Sequence, residues 1–122
     1  MGDRYLTLMV YAYSRDAGGR MTDLPISFSE WEPTLAGFES TRTSFYGSKE
    51  TKALGLRILP LLAKESMLYI EGEELNELKN EVEILLRNLT ASDDYWYFRL
   101  KNILLAIETA KAHNGNAGVA IG

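Results

Sequence analysis

The sequence of 122 residues contains no cysteine. This absence excludes a disulfide framework and thiol chemistry, and it favours a reducing compartment over a secreted location, so we expect a cytoplasmic protein. The apolar stretch near the N-terminus, residues 5–13, is too short and too polar for a signal peptide or a membrane span. We therefore expect no association with a membrane.

The chain also lacks a stripe of basic residues. Its net charge is −4, and residues 71–83 alone carry −5 because they hold six glutamates and one lysine, so the remaining residues sum to about +1. A protein that binds nucleic acid concentrates lysine and arginine on one surface to contact phosphates. We therefore expect no nucleic-acid partner.

Motifs for metal binding, nucleotide binding and catalysis are absent as well. The only histidine, His113, has Ala110 three positions before it, so the Glu-x-x-His pair of a helical di-metal site is missing. A nucleophile motif for His113 to serve is also missing, and its predicted place in the last turn of a helix suits a capping role. No glycine-rich stretch has the spacing of a phosphate-binding loop. We predict no catalytic residue, no metal site and no cofactor.

What the sequence does contain is the composition of an ordinary folded domain. Apolar residues make up 46% of the chain and charged residues 25%, close to the averages for soluble globular proteins. Strand and helix patterns follow one another without a linker or a repeat. We predict a single domain over residues 1–122, of the α+β class, with a mostly antiparallel sheet of about four or five strands and about three helices packed on it.

Alternation with a period of two predicts a strand over residues 5–13, with Leu8 and Val10 on one face and tyrosines on the other. Gly18-Gly19 predicts a turn into a second strand over residues 24–31, so that the two strands form a hairpin. The chain from residue 33 to 39 is predicted as a turn or short helix. Further strands are predicted over residues 41–46, 66–70 and 118–121.

The first helix is predicted to begin at Lys49 with Ser48 as its N-cap. We expect it to end or kink near residues 58–59, because Pro60 lacks a backbone donor and crowds the preceding turn. The second helix opens after Gly72, and leucine and valine side chains at helical spacing from residue 75 to 89 make it the clearest element.

The third helix is predicted from a cap at Asp93 or Asp94 to about residue 112, where Asn114 and Gly115 end it. At 100° per residue, the apolar stripe that contains Trp96 points to the core.

Two further groups of side chains on this helix fall outside the stripe. Phe98 and Leu105 lie opposite it, and we expect a second cover for them. The cover is the chain's own segment from residue 32 to 47, a different protein, or a second copy of the chain, and we favour the second copy. Tyr95, Arg99 and Asn102 form a mixed flank, a geometry that orders a neighbouring loop or holds a small polar ligand.

Glutamates at positions 73, 77 and 81 recur every four residues and so share one face of the second helix. The ordinary interpretation of such a run is a solvated acidic surface. If it has a function, Glu73, Glu77 and Glu81 would contact a basic protein partner, and the charge would steer that partner.

These observations lead to two hypotheses about function. In size, acidity and lack of cysteine, the chain resembles small bacterial immunity and antitoxin-type proteins, although it shares no motif with them. The first hypothesis is therefore a non-enzymatic binding or regulatory protein, acting by protein–protein contact through a homodimer or a basic partner. The other is a small-ligand-binding domain or small enzyme with a polar site formed by Arg99, Asn102 and the loop from Arg15 to Arg20.

Overall fold

The computed structural model describes residues 7–25, 35–89, 94–113 and 115–122. They form a five-stranded antiparallel sheet with three helices, which confirms the predicted α+β class. The strands are β1 (Thr7–Arg15), β2 (Met21–Leu24), β3 (Leu35–Phe38), β4 (Leu68–Glu71) and β5 (Ala117–Ile121). The helices are α1 (Lys49–Ala53), α2 (Glu74–Arg87) and α3 (Asp94–Ala112), with a π-helical turn (Arg42–Tyr46) and a 3-10 helix (Leu59–Ala63).

The long strand β1 lies at the centre of the sheet. The strand order is β2-β1-β5-β4, and β3 pairs with the first residues of β1. Leu8, Val10 and Ala12 of β1 are buried in the core, and Tyr13 is buried on the other face. The prediction of a strand with a partly covered tyrosine face is confirmed for the residues from Thr7 onwards, while residues 5 and 6 lie outside the described chain.

The predicted hairpin between β1 and the next strand is confirmed, but the second strand begins earlier than expected. β2 starts at Met21, because Asp16 closes the turn with its side chain, which accepts hydrogen bonds from the backbone of Gly18 and Arg20. Gly19 has a φ of 83°, the left-handed conformation that favours glycine. The predicted strand extends to residue 31, and residues 26–31 lie outside the described chain.

Residues 33 and 34 lie outside the described chain, and for residues 35–46 the prediction is wrong in its order. A strand, β3, comes first and a helical turn follows, whereas the sequence predicted a turn or helix and then a strand. Gly37 is essential to this arrangement, since a Cβ atom there would lie 2.6 Å from the hydroxyl of Thr41. The helical turn buries Tyr46, whose hydroxyl donates a 2.7 Å hydrogen bond to the carbonyl of Ala36 in β3.

Helix α1 begins as predicted, with Ser48 accepting a hydrogen bond from the backbone of Thr51. It ends at Ala53, several residues before the predicted end. Gly55 stops it in a left-handed conformation with φ 86°. Pro60 does not end this helix but lies in the first turn of the 3-10 helix, a position where its missing N–H costs nothing.

The two long helices pack side by side on one face of the sheet, as their apolar stripes predicted. The predicted strands near residues 66–70 and 118–121 are confirmed as β4 and β5, and the latter is a central strand with four of its five residues buried. Helix α3 spans the predicted range, while its possible cap Asp93 and its predicted stop residue Asn114 lie outside the described chain. Gly115 has a φ of 116°.

Candidate functional site

A row of three residues crosses the sheet on the face away from the helices. Tyr13 of β1 lies opposite Gly118 of β5, which in turn lies opposite Glu71 of β4. The hydroxyl of Tyr13 donates a hydrogen bond to Oε2 of Glu71 across the glycine. A Cβ atom at position 118 would lie 2.7 Å from that hydroxyl and 2.6 Å from Cγ of Glu71, so only glycine leaves room for the contact.

Arg15 completes this row. Its Nε donates a 2.7 Å hydrogen bond to the same oxygen of Glu71, and its guanidinium lies 5.3 Å from the centroid of the Tyr13 ring. The hydrogen bonds from Tyr13 and Arg15 lower the pKa of Glu71. Burial, together with the hydrogen bond to Glu71, raises the pKa of Tyr13. The row is therefore an ionised carboxylate held by a protonated phenol and a guanidinium.

Glu81 has an internal role that the sequence did not predict. Its side chain is only 3% exposed and accepts hydrogen bonds from three consecutive backbone N–H groups, those of Arg57, Ile58 and Leu59, at 2.8 to 2.9 Å. These donors stand at the start of the 3-10 helix, where no helical carbonyl is in place to accept them. The prediction that Glu81 contacts a partner is therefore corrected: it caps a segment of its own chain.

The other acidic residues of α2 are partly neutralised. Arg57 forms ion pairs with Glu74 at 3.0 Å and with Glu77 at 2.7 Å, and its hydrogen bonds lower the pKa of Glu77. Glu73 is exposed, and no described residue forms an ion pair with it. Of the three glutamates predicted to contact a basic partner, one is buried, one is paired and one remains open to solvent.

Phe98 and Leu105 lie outside the main core, as the helical pattern predicted. Both are half-buried, and neither belongs to the apolar cluster beneath α3. Their exposed neighbour is Tyr97, which is 46% exposed and packs edge-on against Phe98. The amine of Lys101 lies 5.9 Å from the Tyr97 ring. The prediction of a second cover for this face remains a prediction.

The flank of Tyr95, Arg99 and Asn102 faces β3 and the π-helical turn. Asn102 is 2% exposed, and its amide donates a 2.8 Å hydrogen bond to the carbonyl of Leu35. This residue therefore orders the neighbouring strand and does not offer its side chain to solvent. Arg99 lies 4.3 Å from the centroid of the Tyr95 ring.

The structure does not bring Arg99 and Asn102 together with the loop from Arg15 to Arg20, so the combined ligand site is not formed. Asn102 contacts β3, which pairs with the first residues of β1, whereas Arg15 is the last residue of that strand. Leu35 of β3 pairs with Met9, six residues before Arg15. At about 3.3 Å per residue, Met9 and Arg15 lie roughly 20 Å apart. Side chains near opposite ends of this nine-residue strand are too far apart to form one small-molecule site.

A depression of about 430 Å³ lies between the start of α2 and the end of α3. It is lined by Glu71, Lys111 and His113 among others, but Glu71 is engaged by the row described above and Lys111 bonds to the side chain of Asn76. Among the described residues, no three histidine, aspartate or glutamate side chains are grouped so that they could hold a metal ion.

The outer edge of β4 is a feature that the sequence prediction missed. Met9 and Gly122 exchange both backbone hydrogen bonds, and this fixes which residues of β5 bond to β1 and which bond to β4. Leu68 and Ile70 therefore bond to β5, while the peptide groups of Tyr69 point away from the sheet. The Tyr69 side chain is 53% exposed, the highest value among the large apolar side chains described. Its position between two buried residues in a period of two was the signal that could have identified it.

A comparison with known proteins found no relative: no family model, no curated protein and no solved structure matches the chain. In the part of the chain that the structure describes, none of the helices combines the length and apolar character that crossing a membrane requires.

Proposed function

We propose that this protein is a non-enzymatic binding protein of the cytoplasm that works by protein–protein contact, and that it forms a homodimer through the outer edge of β4. The observation that supports this proposal is that no described strand pairs with this edge, where the peptide groups of Tyr69 point outward beside its half-exposed aromatic ring. An unpaired edge of this kind pairs readily with another strand.

The geometry of β4 favours a second copy as the partner. A two-fold axis at Tyr69 pairs that residue with its own copy, and it pairs Met67 with Glu71 of the partner subunit. Tyrosines opposed across two strands attract each other, whereas an axis at Glu71 would oppose two carboxylates. Glu71 also brings little charge to the interface, because Arg15 already neutralises it within its own chain. The two sheets would join into one continuous antiparallel sheet.

The opposite edge of the sheet is less suited to pairing. The outward residues of β2 include Asp23, and Pro25 directly after the strand has no N–H to donate. Met21 on this edge is 38% exposed, comparable to the 36% of Met67 beside β4. Met21 therefore provides a matched control for substitutions at the β4 edge.

Two other surfaces compete with this proposal. The acidic face of α2 is partly neutralised by Arg57, so the support for a basic partner there is reduced to Glu73 and its exposed neighbours. The outer face of α3 carries Phe98 and Leu105, which are half-buried within the monomer. Neither surface offers outward backbone groups like those of Tyr69, with which no described strand pairs.

The absence of cysteine allows a direct test by crosslinking. In a pair related by the axis at Tyr69, the two Cα atoms would lie about 5.5 Å apart, within the range of a disulfide. Tyr69→Cys should therefore form a disulfide-linked dimer under mild oxidation, while Met21→Cys should remain a monomer on a denaturing gel. The single new thiol in each variant makes the product unambiguous.

Light scattering of the intact protein completes the test. We expect a dimer for the parent chain and for Met21→Lys, and a folded monomer for Tyr69→Lys, because two lysines would face each other on the axis. A monomeric parent at high concentration would overturn the proposal. A folded monomer from Phe98→Glu with Leu105→Glu, together with a dimer from Tyr69→Lys, would move the interface to α3 and also overturn it.

A further inference from the structure

A small depression of about 280 Å³ opens between α1 and the end of α2. Its apolar wall consists of Phe45 of the π-helical turn, Leu54 after α1, and Leu85 and Leu89 at the end of α2. Leu85 is 4% exposed and Leu54 is 37% exposed, so the depression runs from an open mouth at Leu54 to a buried floor at Leu85. The Phe45 ring is fixed by stacking on Trp96, with the two ring centroids 3.6 Å apart.

Three polar side chains of the wall bond to the backbone of the protein itself. The hydroxyls of Ser48 and Thr51 donate hydrogen bonds of 2.9 and 2.7 Å to the carbonyl of Phe45. The amide nitrogen of Asn88 donates a 2.8 Å hydrogen bond to the carbonyl of Ile84. Since these donors are occupied, contact with apolar side chains is what would hold a ligand in the depression.

The electrostatic character of the depression is negative. Glu50 is the one charged residue among those that line it, and its side chain is exposed at the mouth. None of the ion pairs of the described chain involves Glu50. Asn88 and Leu89 bring the C-terminal end of the 14-residue helix α2 to the same wall. The last carbonyls of a helix carry partial negative charge and favour a cation.

We propose that this depression binds a small amine with an apolar body. The apolar body lies against Phe45 and Leu85, and the ammonium group lies at the mouth, beside the carboxylate of Glu50. A carboxylate or phosphate ligand would meet a negative charge there and no basic residue of the lining. The site shares no residue with the β4 edge, so it does not depend on the proposed dimer.

The volume sets the size of the ligand. An apolar cavity of about 150 Å³ binds benzene, so a depression of about 280 Å³ has room for a ligand of roughly ten non-hydrogen atoms. Phenethylamine has this size and is protonated at neutral pH, which makes it a suitable probe. Phenethyl alcohol and phenylacetate have similar bodies but carry no charge and a negative charge, respectively.

The test compares the effects of these three compounds on the melting temperature, with sodium chloride at equal ionic strength as the reference. A ligand that binds only the folded chain raises the melting temperature, and its concentration dependence gives the affinity. We expect phenethylamine to stabilise the parent chain most, phenethyl alcohol to stabilise it less, and phenylacetate to have no effect. Glu50→Gln should weaken the binding of phenethylamine roughly two- to five-fold, as expected for an exposed ion pair, and leave phenethyl alcohol unchanged.

Leu54→Gln and Leu61→Gln form a matched pair that locates the site. Both leucines are exposed to a similar degree, 37% and 39%, but only Leu54 lines the depression. Leu54→Gln should weaken the binding of phenethylamine roughly tenfold through the loss of apolar contact, while Leu61→Gln should bind like the parent. Each variant is compared with its own melting temperature in sodium chloride, so a change in its stability does not affect the result.

Three results would overturn the proposal. No stabilisation of the parent by phenethylamine would show that the depression does not take an amine. Equal stabilisation by phenethylamine and by either of the other two compounds would show that the charge of Glu50 does not select the ligand. A Leu54→Gln variant that responds like the parent would show that phenethylamine binds elsewhere on the protein.

Discussion

The flank of α2 and the tyrosine row of the sheet both hold a glutamate, but they hold it in different ways. On the flank, Glu81 is buried and accepts hydrogen bonds from backbone N–H groups alone. In the row, Glu71 is partly exposed and is held by the side chains of Tyr13 and Arg15. The first arrangement fixes the course of a loop, and the second joins three strands. A carboxylate therefore takes its role from the groups opposite it, which are distant in the sequence.

The largest effect is expected from Glu81→Ala. This change leaves three buried N–H groups at residues 57–59 without an acceptor, and we expect a loss of about 3 to 5 kcal/mol in the free energy of unfolding. Urea denaturation followed by circular dichroism measures this loss. Glu77→Gln, four residues earlier on the same helix, is the control and should shift the midpoint far less. Similar losses for the two variants would remove the distinction between a buried cap and a surface ion pair.

The second effect is expected from Gly118→Ala in the tyrosine row. The added Cβ atom would lie 2.7 Å from the backbone carbonyl of Ile70, which cannot move without disturbing the sheet. We expect a loss of about 1 to 3 kcal/mol from overpacking. Gly18→Ala is a suitable control, because the nearest atom to its Cβ would lie at 3.5 Å. A Gly118→Ala variant as stable as its control would show that Tyr13 and Glu71 do not need to approach across a glycine.

A smaller effect is expected from Tyr13→Phe, which keeps the ring over Gly118 and removes only the hydroxyl. The loss of one hydrogen bond to a carboxylate should cost about 1 to 2 kcal/mol. Tyr13→Phe combined with Glu71→Gln tests whether the two side chains act together, because coupled residues give a double variant that is less destabilised than the two single changes suggest. Additive losses would indicate that the ring alone, through its packing, stabilises the row.

The sequence predicted the elements whose pattern is local. The predictions failed where the structure of a segment, or the burial of a side chain, depends on residues distant in the sequence. The apolar stripe of α2 and the N-cap at Ser48 need only neighbouring residues, and both predictions are confirmed. The strand β3 was missed because its partner is the start of β1, while Gly37 interrupts the alternation within the strand itself. Glu81 was assigned to an acidic surface because its spacing matches Glu73 and Glu77, whereas its burial depends on residues 57–59, more than twenty positions away.

The smallest effect concerns acid and salt, and it separates Glu71 from Glu77, whose carboxyl pairs with the exposed Arg57. The pKa of each carboxyl is lowered from its ordinary value of 4.5, by Tyr13 and Arg15 for Glu71 and by Arg57 for Glu77. A group whose pKa is lower in the folded state contributes stability that is fully present above the unfolded pKa and is lost as the pH falls through the folded one. At pH 6 the parent chain should have a higher free energy of unfolding than Glu71→Gln and Glu77→Gln. We expect both differences to disappear as the pH falls from 6 to 3. Salt should distinguish the two, since 1 M sodium chloride screens the pair of Glu77 with the exposed Arg57 but leaves the hydrogen bond from the buried Tyr13 in place. In that salt at pH 6, the urea midpoint of Glu77→Gln should equal that of the parent, while Glu71→Gln should remain below it. If salt removes both differences, Glu71 is held by charge alone, and the contrast between a bonded row and a surface ion pair is lost.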